Sequence, residues 1–389
     1  MGKEFNKIIN RRNTNSLKWD VGENELPMWV ADMDFQTAKC VTDAVVAKAK
    51  SGVFGYQIVP DKWYDAYANW WKGRHDFAIE KDWLCFCTGV VPAITSSIKR
   101  LTNVGDNVVV LTPVYDIFFH SIENTGRHTL ECPLDYLDGK YSIDFAELEK
   151  KLADPLSTLL LLCNPHNPVG KVWTRDELKR IGDLCAKHGV VVFSDEIHCD
   201  LTAPDVQYVP FASVSERCKS NSVTAVSCSK AFNLAGMQSA AVFASNGQIR
   251  AKVVRGLNSD EIAEPNAFAV EAAVAAFSEE GALWLDGLRR HVDSNKKVAA
   301  KFVRDNLPEI KSIAQDATYL MWLDCSAITD DAAKLCDFIR SETGLFISAG
   351  NKYRGNGRYF VRLNVACPEQ TLLDGLNRLK QGLSAYLNK

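Results

Sequence analysis

Five short runs in the middle of the chain are apolar at nearly every position: Asn107–Leu111, Thr158–Cys163, Val190–Ser194, Val223–Ser227 and Ala240–Ala244. Runs this short, without polar alternation, suit strands buried on both faces. Between them lie amphipathic stretches such as Arg175–His188, a helix that Thr174 is placed to cap. The alternation predicts an α/β sheet layer with helices on both sides. The last hundred residues read differently. Leu283–Leu307 predicts a long helix with its charges on one face. Tyr319–Asp324 and Tyr359–Ala366 alternate as half-buried strands do. The expected organisation is a large domain at 45–285, a small C-terminal domain at 286–389, and an N-terminal segment, 1–44, packed with the small domain.

Composition narrows the classes of function. A chain of 389 residues is too long for one small core, which agrees with two lobes. Its formal net charge of −3 leaves no dominant basic face, so nucleic acid is not an expected partner. No apolar run reaches the roughly 18 residues of a membrane span. Met1–Asn10 carries Lys3, Glu4 and Lys7 and lacks the apolar stretch of a secretory signal. Of twelve cysteines, Cys85, Cys87, Cys163 and Cys228 lie in strand-like runs, and no Cys-x-x-Cys occurs. The expectation is buried, reduced thiols in a cytoplasmic protein, with no metal.

α/β proteins place their sites just beyond strand ends. Val223–Ser227 runs into Cys228-Ser229-Lys230. A lysine there would be partly desolvated, which lowers its pKa and makes its amine a nucleophile. Taken alone, the segment fits a surface lysine in a loop better than a reactive one. Val190–Ser194 ends in Asp195-Glu196-Ile197-His198, adjacent acids that also occur in metal and nucleotide sites or as solvated loop acids. Thr158–Cys163 ends in Asn164-Pro165-His166-Asn167-Pro168-Val169-Gly170, a fixed turn able to aim an amide at a ligand oxygen. Thr88-Gly89-Val90-Val91-Pro92 precedes a helical stretch, Ala93–Leu101, and would turn free backbone N–H groups toward an anion. An ordinary strand–helix turn reads the same way. Arg362, between Val361 and Leu363, needs a partner: a substrate carboxylate or a structural acid.

The order and spacing of these pieces resemble the fold-type I pyridoxal-phosphate (PLP) enzymes, the aspartate aminotransferase superfamily, over roughly residues 25–385. The segment Leu26-Pro27-Met28-Trp29-Val30-Ala31-Asp32-Met33-Asp34-Phe35 is similar to the N-terminal signature of the MalY/PatB-type cystathionine β-lyases. Asp195–His198 and Pro165–Pro168 resemble that group too. The resemblance implies a large domain with a mostly parallel seven-stranded sheet between helices and a smaller α+β domain. It implies that Lys230 holds PLP as a Schiff base and then serves as the base at Cα. Asp195 would pair with the pyridine nitrogen and keep the ring an electron sink. Asn167 would bond the ring oxygen, with His198 near it, and Tyr115 would stack on the ring. Gly89, Val90, Val91 and Ser227 would hold the phosphate. Tyr56 would reach the phosphate of the other subunit, which implies a homodimer with shared active sites. Arg362, helped by the backbone near Ala31, would bind the carboxylate of an amino-acid substrate. Two positions depart from the broad aminotransferase pattern. Gln238 stands eight residues after the lysine, where many members carry a basic residue. His198 stands where tyrosine is frequent, and its protonation state is open.

The resemblance implies carbon–sulfur β-elimination. Cystathionine would give homocysteine, with aminoacrylate hydrolysing to pyruvate and ammonia. Transamination shares the early steps and stays open as an alternative. A PLP-binding regulatory protein with little turnover is the other.

Overall fold

The computed structural model describes residues 3–389. Its central sheet has seven strands: β1 (Leu84–Cys87), β2 (Asn107–Thr112), β3 (His128–Pro133), β4 (Ser157–Cys163), β5 (Val191–Asp195), β6 (Ser222–Val226) and β7 (Ala240–Phe243). They lie in the order β1-β7-β6-β5-β4-β2-β3. Strand β7 is antiparallel to both its neighbours, and the remaining pairs are parallel. Two antiparallel steps leave β1 parallel to β6. The C-terminal ends of β1, β2, β4, β5 and β6 therefore meet along one edge of the sheet, where ligands bind in such folds.

The apolar runs became strands because both faces are covered: β6 is buried at every position, and β4 and β5 at all but one. Strand β6 stops at Val226, one residue before the sequence pattern ends, so Ser227 already belongs to the turn. Helices α1 (Asp61–His75), α2 (Val90–Leu101) and α3 (Arg175–Lys187) belong to this layer. Helix α3 carries a complete capping box, in which Thr174 and Glu177 each accept from the other's backbone N–H.

Helix α4 (Glu279–Asn306) starts four residues before the expected position, because the Ser278 hydroxyl caps it by accepting from the Gly281 N–H. Beyond it a four-stranded antiparallel sheet forms from β8 (Lys311–Ser312), β9 (Leu320–Asp324), β10 (Ser348–Ala349) and β11 (Phe360–Asn364), ordered β8-β9-β11-β10. Strands β9 and β11 are buried at every position, not on alternate faces as the pattern suggested. One face, with Met321, Leu323, Val361 and Leu363, packs in the core that includes Leu335, Ile339, Leu372 and Leu376. The other, with Trp322 and Phe360, packs against Tyr141, Trp173 and Tyr353. Register places Arg362 opposite Trp322, on this second face. The N-terminal segment joins the same region: Leu26–Pro27 pairs in parallel with Leu345–Phe346.

Candidate active site

Five strand ends deliver their side chains into one cavity of about 190 Å³. The turn after β5 brings Asp195 and His198, the turn after β4 brings Asn167, and the turn after β6 brings Lys230. Tyr115 follows β2, and Gly89, Val90 and Val91 open helix α2 after β1. Ala31 completes the wall from the N-terminal segment. Asp195, His198, Asn167 and Arg362 are only 3–4% exposed, so their charges and dipoles act in a low-dielectric space.

Burial without an ion-pair partner dominates the electrostatics. The Asp195 carboxylate accepts from the Ile197 N–H at 3.1 Å, and loss of water still pushes its pKa up to about 7. Lys230 donates from Nζ to the Ala31 carbonyl at 2.8 Å. Desolvation, with the Arg362 charge second, lowers its pKa to about 8. His198 falls to about 3 for the same first reason, so its imidazole is neutral, and its Nδ1 has no partner. Burial pushes Tyr115 up to about 12, which keeps the phenol protonated.

Arg362 does not line the cavity but stands directly behind Asn167. It donates to Asn167 Oδ1 at 3.2 Å and to the Trp29 carbonyl at 3.0 Å, and its guanidinium lies 5.0 Å from the Tyr353 ring centre. Its Nε is unpartnered, and no carboxylate pairs with it among the described residues. Gly89 caps helix α2 in extended backbone, and a Cβ there would come within 3.1 Å of the Pro92 ring.

Besides Arg362, two expected residues do not line the cavity. Ser227 is buried but does not line the cavity. Its hydroxyl donates to the Ser239 carbonyl at 2.6 Å and accepts from the Ser229 N–H at 3.0 Å, which consumes it in shaping the turn. Tyr56 is fully exposed, well apart from the cavity lining. Of the adjacent acids, only Asp195 faces the cavity. Glu196 turns inward, accepting from Ser194 Oγ at 2.8 Å, Asn164 Nδ2 at 3.2 Å, the Phe211 N–H at 2.9 Å and the Tyr208 hydroxyl. It ties the turn that carries Asp195 to its neighbours.

Sequence reasoning missed the groups that hold residues 29–35 across the site. Asn364 donates to the Val30 and Asp32 carbonyls at 2.6 and 2.7 Å and accepts from the Ala366 N–H at 2.8 Å. Asn233 donates to the Met33 and Phe35 carbonyls and accepts from the Met33 N–H. Arg11 and Lys18 pin the segment through Asp32 and Asp34. Asn233 sits three residues past Lys230 and Asn364 two past Arg362, so proximity to the flagged residues was the available signal. Asn364→Ala would leave the buried Ala366 N–H unpaired and strip one donor each from the Val30 and Asp32 carbonyls, which keep the Asp32 N–H and Lys18 Nζ, and is expected to cost about 1–3 kcal/mol. Urea unfolding measures it, and a loss under about 0.5 kcal/mol, the range of surface substitutions, would contradict this account of the strap.

A larger hollow of about 640 Å³ lies on the other side of the same turn, lined in part by Trp70, Arg74, His75, Cys199 and Asp200. His75, Cys199 and Asp200 could in principle ligate a metal. Asp200 is already satisfied by the Trp70 indole, His75 and the Arg74 guanidinium, whose positive charge opposes a cation there.

A part-buried lysine of lowered pKa, a buried acid and a phosphate-sized helix entrance, grouped at the strand ends of a parallel sheet, fit an enzyme with an aldehyde cofactor. The chain belongs to the aminotransferase class I and II family, which it matches over residues 20–379. It is 42% identical to cystathionine β-lyase PatB of Bacillus subtilis, across 98% of this chain and all of that one. Among solved structures it is similar to cystalysin of Treponema denticola, which contains PLP, with a TM-score of 0.94, 34% identity and 98% of each chain covered. It is also similar to the PLP-bound C–S lyase of Staphylococcus hominis, with a TM-score of 0.91, 29% identity and 97% of each chain covered. Its twelve cysteines are free, and among the described residues no helix is long and apolar enough to cross a membrane.

Proposed function

We propose that this protein is a PLP-dependent carbon–sulfur β-lyase that cleaves cystathionine or related S-substituted cysteines to a thiol, pyruvate and ammonia. The observation that carries the reading is Lys230 and Asp195 together in one buried cavity, in a chain similar from end to end to cystathionine β-lyases. The groups that line the cavity suit the cofactor. Asp195 would offer a carboxylate to a ring nitrogen, and Asn167, with neutral His198, would serve a ring oxygen. Gly89, Val90 and Val91 offer helix-end N–H groups to a phosphate. Ser239, whose hydroxyl is buried and unpartnered, adds a donor there.

Bound, the cofactor supplies a protonated pyridine ring that takes up the electron pair released when the substrate loses its α-proton. The chain does the rest. Arg362 orients the substrate α-carboxylate through its guanidinium fork, with the Trp29–Ala31 backbone beside it. Lys230 Nζ would hold the cofactor at rest and, as a free amine, would take the proton from Cα and hold it. Asp195 keeps the proton on the ring nitrogen, and neutral His198 adds no competing charge. The sulfur leaves Cβ as thiolate, which needs no strong acid.

The protein acts as a cytoplasmic homodimer in this reading. Val53, Phe54, Tyr56 and Ile58 form an exposed apolar stretch, which a second copy would cover while bringing Tyr56 to its phosphate. Two lobes, with the small one built on β8–β11 and joined by the N-terminal segment, enclose each site.

Transamination is the second reading, because the family is described by that activity. One experiment separates the two. Purified enzyme given cystathionine, with no keto-acid acceptor, is expected to release pyruvate continuously. Amino-group transfer that runs only when 2-oxoglutarate is added, without pyruvate, would overturn the lyase assignment.

A further inference from the structure

A loose ion pair stands beside the site. Lys352 Nζ lies 3.5 Å from Asp116 Oδ2, with 40% and 19% of the two side chains exposed. Asp116 directly follows Tyr115, which lines the cavity. Lys352 directly precedes Tyr353, and its ammonium lies 5.2 Å from the Tyr353 ring centre, the same ring that the Arg362 guanidinium approaches to 5.0 Å. The ammonium and the guanidinium are therefore no farther apart than those two distances together. Burial lowers the pKa of Lys352, and the charges of Asp116 and Arg362 both reach it. Two contacts fix the arrangement. The Val114 N–H donates to the Tyr353 carbonyl at 3.0 Å, and Gly355 packs so closely that a Cβ there would come within 2.9 Å of the Pro113 nitrogen. Neighbouring Arg354 is committed more firmly, at 2.6 Å from Glu123.

We propose that Lys352 and Asp116 recognise the far end of the substrate, and that they favour S-substituents that end in an amino acid, as that of cystathionine does. The inference rests on the lyase reading above, with the α-carboxylate on Arg362. Beyond its sulfur, cystathionine carries a second carboxylate and a second ammonium on one carbon. A lysine and an aspartate held side by side offer the opposite charge to each. Without substrate they neutralise each other, so neither half-buried charge is left unpaired. Five bonds of roughly 1.5 Å or more join the two α-carbons of cystathionine, so its two carboxylates can reach Arg362 and Lys352 together. A plain alkyl substituent leaves the ion pair intact and gains nothing from it.

The test compares cystathionine with S-propylcysteine, which keeps the carbon chain beyond sulfur and lacks both charged groups. Steady-state pyruvate release by the holoenzyme gives kcat and KM for each. Lys352→Gln and Asp116→Asn should each raise KM for cystathionine about three- to fivefold and leave its kcat nearly unchanged. Both constants for S-propylcysteine should stay within about 1.5-fold. In the natural chain the preference for cystathionine, read as the ratio of the two kcat/KM values, should shrink as salt rises, because the pair is partly exposed. Equal losses on the two substrates would overturn the proposal, since a pair that only joins two turns cannot tell them apart. An unmoved KM for cystathionine in either variant would overturn it too, as would a natural enzyme that works on S-propylcysteine alone. A natural enzyme that releases pyruvate from neither compound would instead overturn the lyase reading.

Discussion

Lys230→Ala is expected to lower pyruvate release from cystathionine by about a thousandfold or more, since a positioned base alone is worth about 10²–10⁴. The same substitution removes the covalent anchor, so borohydride treatment should no longer fix the cofactor to the chain. The structure supplies the reason this amine is reactive. Its amine meets one acceptor, the Ala31 carbonyl, and burial with the Arg362 charge lowers its pKa to about 8. Only the neutral amine attacks an aldehyde. Below pH 8 protonation blocks attack; above it the amine is free. Cofactor capture by the apoprotein is therefore expected to accelerate with rising pH, with a midpoint near about 8, and then level off. An ordinary lysine would keep accelerating toward roughly 10.4. Stopped-flow absorbance follows the reaction, and a midpoint above about 10 would contradict the desolvated environment.

Asp195→Asn is expected to cut turnover by roughly 30- to 5,000-fold, the equivalent of the about 2–5 kcal/mol lost when one partner of a buried charge pair is removed. The amide fills the same space and still accepts from the Ile197 N–H, so the fold and the colour of the bound cofactor should persist. What disappears is the negative charge that holds a proton on the ring nitrogen. Burial already sets the cost of that charge, lifting Asp195 to about 7. A cationic ring beside it pulls the pKa down again, so binding and ionisation support each other. Turnover within threefold of the natural chain would remove Asp195 from this role.

Much of the site was legible because the chemistry-bearing residues follow apolar strands. Once a strand end is located, the next few positions in an α/β protein are candidates, and Asp195, Asn167, Lys230 and the Gly89 turn all stand there. What sequence patterning could not separate was direction. Asp195 and Glu196 are neighbours, yet one faces the cavity and the other is consumed by four donors, three of them from other turns. Ser227 stands beside the cavity lining, where its hydroxyl bonds the Ser229 N–H and the Ser239 carbonyl. Strands β9 and β11 looked half-buried because their polar positions alternate. Those positions, Asp324, Arg362 and Asn364, meet polar or aromatic partners on a face that is itself covered.

Local order thus came from the chain itself. Unbroken apolar runs can be satisfied only by burial on two faces, and Thr174 with Glu177 starts a helix whatever surrounds it. These fixed the sheet layer, its helices and the positions from which a site could be built. The ionisation states were decided by the tertiary structure. Lys230 is an ordinary lysine in the sequence. It becomes a reactive amine because five strand ends, a strap pinned by Asn233 and Asn364, and the Arg362 charge exclude water and oppose its proton. Desolvation depends on what surrounds a group from every side, and residues from 31 to 239 line this cavity.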